Sequence, residues 1–203
     1  MNFIILGFIT GLSLILALGA QNIFVVEQGL KKQHIFLVSI VCSISDFILI
    51  FLGIFLFHYF NQFFNTTIEL ILNILLIIFL SHFIYKKIQN FKHTNKLNIA
   101  KSTSKETALN IFLKTLGFTY LNPHVYSDTV FFLGNFSKNF LLVEKLYFGI
   151  GATISSFLFF FTIGYLSKFL SKYLKNKNTW RVINSFIITF MLFLIFYILN
   201  EML

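Results

Sequence analysis

The chain has 203 residues, of which 57% are hydrophobic and only 11% are charged. About a quarter of the residues in a soluble domain are usually charged, so this composition excludes an ordinary soluble fold. A net charge of +9 would suggest a nucleic-acid partner in a soluble protein. Here the basic residues lie between long apolar runs, so we attribute them to membrane topology and expect no nucleic-acid partner.

Six apolar segments are each long enough to cross a hydrocarbon core of ~30 Å at ~1.5 Å per residue. Because a backbone in lipid must satisfy its own hydrogen bonds, these segments are predicted to be helices. No Lys or Arg precedes the first segment, which favours a retained helix over a cleaved signal peptide. The sequence therefore predicts an all-α polytopic membrane protein with six transmembrane helices, at residues 3–26, 36–58, 67–85, 108–134, 146–167 and 181–200.

The basic residues indicate how these helices are oriented. They concentrate in the first, third and fifth connections, at Lys31, Lys32, Lys86, Lys87, Lys92, Lys96, Lys101, Lys105, Lys168, Lys172, Lys175, Lys177 and Arg181. The opposite connections hold only Lys138 and Lys145. The positive-inside rule then places the lysine-rich connections in the cytoplasm. If all six segments cross, both termini lie outside.

An internal repeat divides the chain into two halves. Residues 42–47 match residues 152–157 in the order of their small polar and aromatic side chains. The first and fourth segments are both long, and each has a polar interruption, at 19–22 and 121–124. Three spans per half require the second half to enter from the other side, as in the inverted repeats of secondary transporters. We predict repeats at 1–88 and 107–203 with broken first and fourth helices, joined by a solvated cytoplasmic linker at 89–106.

The break in the fourth segment contains Pro123, the chain's only proline. A proline inside a helix removes one backbone donor and clashes with the carbonyl one turn earlier. Freed backbone groups are tolerated in lipid where side chains or a cavity replace the lost bonds. Asn122, His124 and Tyr126 supply polar groups there, and the half-helix that begins near Pro123 offers N–H groups to a substrate carboxylate. We interpret this break as a substrate or coupling-ion site; the alternative is a kink that only shapes packing.

Two carboxylates inside apolar segments are the most informative residues. Asp46 lies near the middle of the second segment and Asp128 well inside the fourth. A carboxylate at a helix centre costs about 2.5–3.5 kcal/mol on insertion scales, so each must face a partner or water. No intramembrane Lys or Arg is an obvious mate, which invites a cationic substrate, a proton or a metal ion. A protonated, purely structural carboxyl group is the alternative.

Neighbouring polar residues extend this candidate site. Ser43 shares a helical face with Asp46, and His124 shares one with Asp128, four residues away. Gln21 and Asn22, at the break of the first segment, are predicted to line the opposite half of the site.

At these residues the sequence resembles the LysE/ArgO family of basic amino-acid exporters. The resemblance rests on stretches that keep their order over nearly the whole chain, at residues 11–13, 19–22, 28–30, 45–46, 121–126, 128–129 and 180–181. The Gly-Ala-Gln-Asn and Asn-Pro-His-Val-Tyr elements are the most specific of these. The resemblance implies a bacterial inner-membrane exporter of lysine and arginine, which is not an enzyme and needs no cofactor or resident metal. A homo-oligomer is compatible with this interpretation.

The expected mechanism is exchange of the basic amino acid for protons. Export of a cation opposes an inside-negative potential by about 2.3 kcal/mol per charge per 100 mV, and one inward proton cancels that charge movement. Asp46 and Asp128 would hold protons and the cationic groups of the substrate in alternation.

Several alternatives stay open at this point. The chain could export a metal ion bound by Asp46, Asp128, His124 and Cys42, or export neutral amino acids. It could also be an intramembrane protease with two Asp residues, although it lacks a Gly-x-Gly-Asp element, or a structural membrane protein.

Overall fold

The computed structural model describes residues 2–16, 19–63, 66–93, 106–171 and 177–202. Within these ranges the protein is helical and contains no strand, which confirms the predicted all-α class. The elements, in chain order, are α1 (Phe3–Ile15), α2 (Ala20–Lys31), α3 (Ile35–Phe63), α4 (Thr66–His93), α5 (Ala108–Tyr120), α6 (Pro123–Tyr126), a π-helical segment (Ser127–Phe132), α7 (Leu133–Ser137), α8 (Leu142–Leu170) and α9 (Lys177–Met202).

Three of these helices contain stretches long and apolar enough to cross a membrane, at Ile35–Phe57, Leu142–Leu170 and Val182–Asn200. α1 and α2 together provide a fourth if they form one bent span. In α4 the apolar stretch is shorter, Asn73–Lys86, and the fourth predicted segment is divided among α5, α6, the π-helical segment and α7. The described residues therefore contain several membrane-type helices, while the six-span arrangement stays a prediction.

The structure moves one predicted boundary. α4 continues to His93, so the beginning of the 89–106 linker is helical rather than irregular. Most of the rest of that linker, residues 94–105, lies outside the described residues.

The first helix is interrupted where the sequence has its Gly-Ala-Gln-Asn element. α1 ends at Ile15 and α2 begins at Ala20, with the two axes bent by 82°. The end of α1 leaves carbonyl groups without helical partners, and the Ile15 carbonyl oxygen accepts a hydrogen bond of 2.9 Å from Asn22 Nδ2. Asn22 thus stabilises the break from the first turn of the next helix.

The second break is the helix interruption predicted near Pro123, and it is not a kink within one continuous helix. α5 ends at Tyr120, and Pro123 is the first residue of α6, a position where its missing N–H and fixed φ cost nothing. The Tyr120 carbonyl oxygen accepts a 3.0 Å hydrogen bond from the Tyr126 hydroxyl. As at the first break, a side chain that follows the interruption donates a hydrogen bond to a backbone carbonyl at the end of the preceding helix.

Asp128 lies in the π-helical segment that follows α6. Single π turns inside α-helices are frequent at functional sites. This segment packs closely against α3, because a Cβ placed on Gly53 would come within 2.6 Å of the Val130 Cα. A larger residue at position 53 would displace the backbone that carries Asp128.

The broken helices pack on the long helices of the opposite half. α1 and α2 lie against α8, while α5, the π-helical segment and α7 lie against α3. α3 and α8 also contact each other, as do α4 and α9. Close contact of α1 with α8 depends on small residues, since a Cβ on Gly11 would lie 3.0 Å from the Ala152 Cα.

Substitution of Gly151 by alanine should destabilise the fold. Its added methyl group would overlap the backbone of α1 at Ile4, and overpacking costs about 1–3 kcal/mol. Gly19→Ala is the matched control, because there the nearest atom to an added Cβ is 3.9 Å away. Thermal unfolding of the purified variants in detergent should show a lower midpoint for Gly151→Ala only. Equal midpoints would mean that α1 and α8 are not in close contact.

Candidate functional site

A cavity of about 400 Å³ lies between the two helix breaks. Its wall is formed by residues from α1, α2, α3, α4, α6, the π-helical segment, α8 and α9, together with the residues just before α2 and α6. The lining comprises Leu14, Ile15, Gly19, Ala20, Gln21, Asn22, Asp46, Leu76, Asn122, His124, Val125, Asp128, Thr129, Phe160, Phe193, Leu194, Tyr197 and Ile198. Its size suits a small organic molecule.

Asp46 is the more deeply buried of the two carboxylates in the cavity wall. Its side chain is only 3% exposed, and it accepts a 2.7 Å hydrogen bond from the Ser156 hydroxyl of α8. A single neutral hydroxyl leaves acceptor capacity on a carboxylate, which can accept several hydrogen bonds. Ser156 therefore positions Asp46 without neutralising it.

Asp128 is the less buried carboxylate of the cavity wall. It is partly exposed, and its neighbour His124 is exposed. The His124 ring lies 6.1 Å from the ring of Tyr197 on α9. Within the described residues the cavity wall contains no lysine or arginine, so it combines two carboxylates with no fixed cation.

The two helix starts at the cavity are capped differently. At α6, the Asn122 side chain accepts a hydrogen bond from His124 N, and Val125 N donates to the Asn122 carbonyl. Those N–H groups are therefore not available to a substrate carboxylate, contrary to the expectation for the half-helix at Pro123. Gly19 gives α2 no side-chain cap, so the uncapped helix start is that of α2.

Six of the nine predicted site residues line this one cavity. They are Gln21, Asn22, Asp46, Asn122, His124 and Asp128. These residues converge because the two breaks place the N-terminal starts of α2 and α6 beside the middle of α3.

The other three predicted residues are not part of the cavity wall. Pro123 is buried at the start of α6 and Tyr126 donates its hydroxyl to the Tyr120 carbonyl, so both stabilise the break. Ser43 is fully buried, and its hydroxyl has no hydrogen-bond partner among the described residues. Cys42 is also fully buried and outside the wall. In the part of the chain that the structure describes, no three His, Cys, Asp or Glu residues form a group that could hold a metal ion.

The predicted site residues did not include Ser156, which binds Asp46, or the three aromatic residues of the cavity wall. The repeat alignment already paired Asp46 with Ser156, and this pair is the one that forms the hydrogen bond. The aromatic wall of Phe160, Phe193 and Tyr197 gave no comparable signal in a chain with 30 phenylalanines.

A broken-helix bundle of apolar helices around an acidic cavity is typical of a membrane translocator. Residues 12–201 match the LysE type translocator family, and the chain belongs to that family. It is 31% identical over 181 residues to an arginine exporter protein ArgO of Pectobacterium carotovorum subsp. carotovorum (strain PC1), covering 89% of this chain and 88% of the relative. It is 28% identical over 195 residues to an arginine exporter protein ArgO of Enterobacter sp. (strain 638), covering 96% and 92%. No solved structure matches the chain.

Substitution of Ser156 by alanine should destabilise the protein by about 1–3 kcal/mol, because a buried carboxylate loses a donor. The control is Ser13→Ala, which removes an exposed hydroxyl bonded to its own helix at Ile9. The difference in stability can be measured by thermal unfolding of the purified variants in detergent. Ser156→Thr keeps a hydroxyl group and should therefore recover part of the stability that Ser156→Ala loses. A Ser156→Ala variant as stable as the Ser13→Ala variant would show that Asp46 does not depend on this hydrogen bond.

Proposed function

We propose that this protein exports basic amino acids, lysine and arginine, across the bacterial cytoplasmic membrane in exchange for protons. The proposal rests mainly on the cavity, whose wall has two carboxylates and, among the described residues, no lysine or arginine. The relatives named as arginine exporters support the same substrate class.

The charges of the cavity suit a cationic side chain. A guanidinium group is planar and forms paired, charge-assisted hydrogen bonds with a carboxylate. Asp46 is buried, so a cation bound there is less screened by solvent than one bound at the surface. Asp128, which is partly exposed in the same cavity, offers the substrate a second carboxylate.

The substrate carboxylate would bind at the start of α2. The Gly19 cap leaves this helix start without a side-chain acceptor, and helix N-termini favour anions. Gly19, Ala20, Gln21 and Asn22 line the cavity there. A basic amino acid would then lie between α2 and the two carboxylates, with its apolar stem against Phe160 and the side chains of α9.

Proton exchange follows from the charge balance. When the substrate leaves, an unpaired carboxylate inside the membrane is costly, and a proton on Asp46 or Asp128 removes that charge. Return of the protonated site would carry one proton inward for each cation exported. Rocking of two inverted three-helix halves, with the lysine-rich connections in the cytoplasm and both termini outside, would alternate the access.

Neutralisation of the two carboxylates tests this function. Asp46→Asn and Asp128→Asn should each lower arginine efflux from loaded cells about tenfold or more, since hydrogen bonds to charged groups contribute about 1.5–3 kcal/mol. Glu144→Gln is the control, because Glu144 caps the start of α8 by accepting from Leu141 N and does not line the cavity. Wild-type efflux by the double Asp variant would refute the proposal. Efflux of neutral amino acids or a metal ion in place of arginine would favour those substrates.

A further inference from the structure

We propose that a layer of four phenylalanine rings is the gate that closes the cavity toward the lysine-rich connections. The phenylalanine layer consists of Phe24 on α2, Phe79 and Phe83 on α4, and Phe118 on α5. Its role in export rests on the proposed function, whereas its role as a barrier does not.

Phe118 is the centre of this layer. Its ring is fully buried and lies 4.6 Å from the Phe24 ring, 4.8 Å from the Phe79 ring and 5.1 Å from the Phe83 ring, measured between centroids. Aromatic pairs at such distances attract each other beyond the burial of their area. The layer therefore joins α2 and α4 of the first half to α5 of the second through one side chain.

The layer lies directly beside the cavity on the lysine-rich side. On α2 the cavity residue Ala20 is followed one turn later by Phe24, and the helix ends at Lys31. On α4 the cavity residue Leu76 is followed one turn later by Phe79.

α5 shows the same sequence of cavity residue, phenylalanine and lysine, read from its C-terminal end toward its start. The cavity residue Asn122 is preceded by Phe118, and Lys114 lies one turn further toward the start of the helix. Three helices from the two halves thus place a phenylalanine between the cavity and the basic end of the protein. A solute from that side would have to displace these rings to reach the cavity.

A polar layer lies beyond the rings. Lys114 forms an ion pair with Glu106, and its ammonium group lies 5.9 Å from the centroid of the Phe83 ring. His34, in the connection after α2, donates from Nε2 to the Glu106 carbonyl oxygen at 3.0 Å. These contacts hold the start of α5 against the connection that follows α2, and so keep Phe118 beside Phe24.

A second ion pair stiffens the α2 side of the gate. Glu27 is only 2% exposed and forms a 2.7 Å ion pair with Lys31 one turn later. This contact lies in the last turn of α2, on the lysine-rich side of Phe24.

Solvent accessibility of the cavity tests the gate directly. A Gly19→Cys reporter in a Cys42→Ala background places a thiol in the cavity wall, where an added Cβ has its nearest neighbour at 3.9 Å. Membrane vesicles of both orientations are treated with a membrane-impermeant thiol reagent. A separate Lys168→Cys variant identifies the orientation in which the lysine-rich face is accessible, since Lys168 is exposed in the last turn of α8.

With the gate intact, we expect slow labelling of the reporter from the lysine-rich face. Phe118→Ala should raise that rate about tenfold by increasing the population of the open state, without changing labelling from the opposite face. Phe112→Ala is the control on the same helix, because Phe112 is exposed, and it should leave both rates unchanged. If Phe118→Ala does not insert into the membrane, Phe118→Leu should give a smaller rise in the same direction.

Fast labelling of the parent from the lysine-rich face would overturn the gate, as would an unchanged rate in both Phe118 variants. Neither result depends on the substrate. A protein that passes this test but does not export basic amino acids would contradict the proposed function alone.

Discussion

The hydrogen bond between Asp46 and Ser156 is the interaction on which the cavity depends. It joins the middle of α3 to the middle of α8, and it holds a buried carboxylate among apolar helices. A charge in such a place is costly unless a partner or water stabilises it. A neutral hydroxyl orients the carboxylate and leaves the opposite charge to be supplied by a ligand or a proton, which is what an exporter of cations needs.

The two helix breaks give that carboxylate its surroundings. Each break frees a backbone carbonyl, and in each case a nearby side chain satisfies it: Asn22 at the first and Tyr126 at the second. At each break one backbone carbonyl is thus satisfied by a side chain of the protein itself. The caps differ, however, so the start of α6 is occupied by Asn122 while the start of α2 has no side-chain cap. In the proposed function, this asymmetry is the reason for placing the substrate carboxylate at α2 and the cationic end at Asp46 and Asp128.

The sequence was sufficient for the apolar helices and for most of the polar residues of the cavity wall. Composition and run length predicted the helices, and the polar interruptions at 19–22 and 121–124 predicted the breaks, because these signals are local. A half-helix beginning near Pro123 was predicted, but the hydrogen bond from Tyr126 to the Tyr120 carbonyl was not, because it depends on how the chain folds back at the break. The gate residue Phe118 is one phenylalanine among many, and only its contacts with three other rings distinguish it.

The most direct test of the central claim is the binding of arginine and its uncharged analogue to the purified protein. Citrulline has almost the shape of arginine but carries no charge on its side chain, so it isolates the contribution of the two carboxylates. We expect radiolabelled arginine to bind, unlabelled lysine to displace it, and citrulline to compete at least about tenfold more weakly, the factor that corresponds to about 1.4 kcal/mol. Equal competition by citrulline would contradict a cavity that recognises its substrate through Asp46 and Asp128.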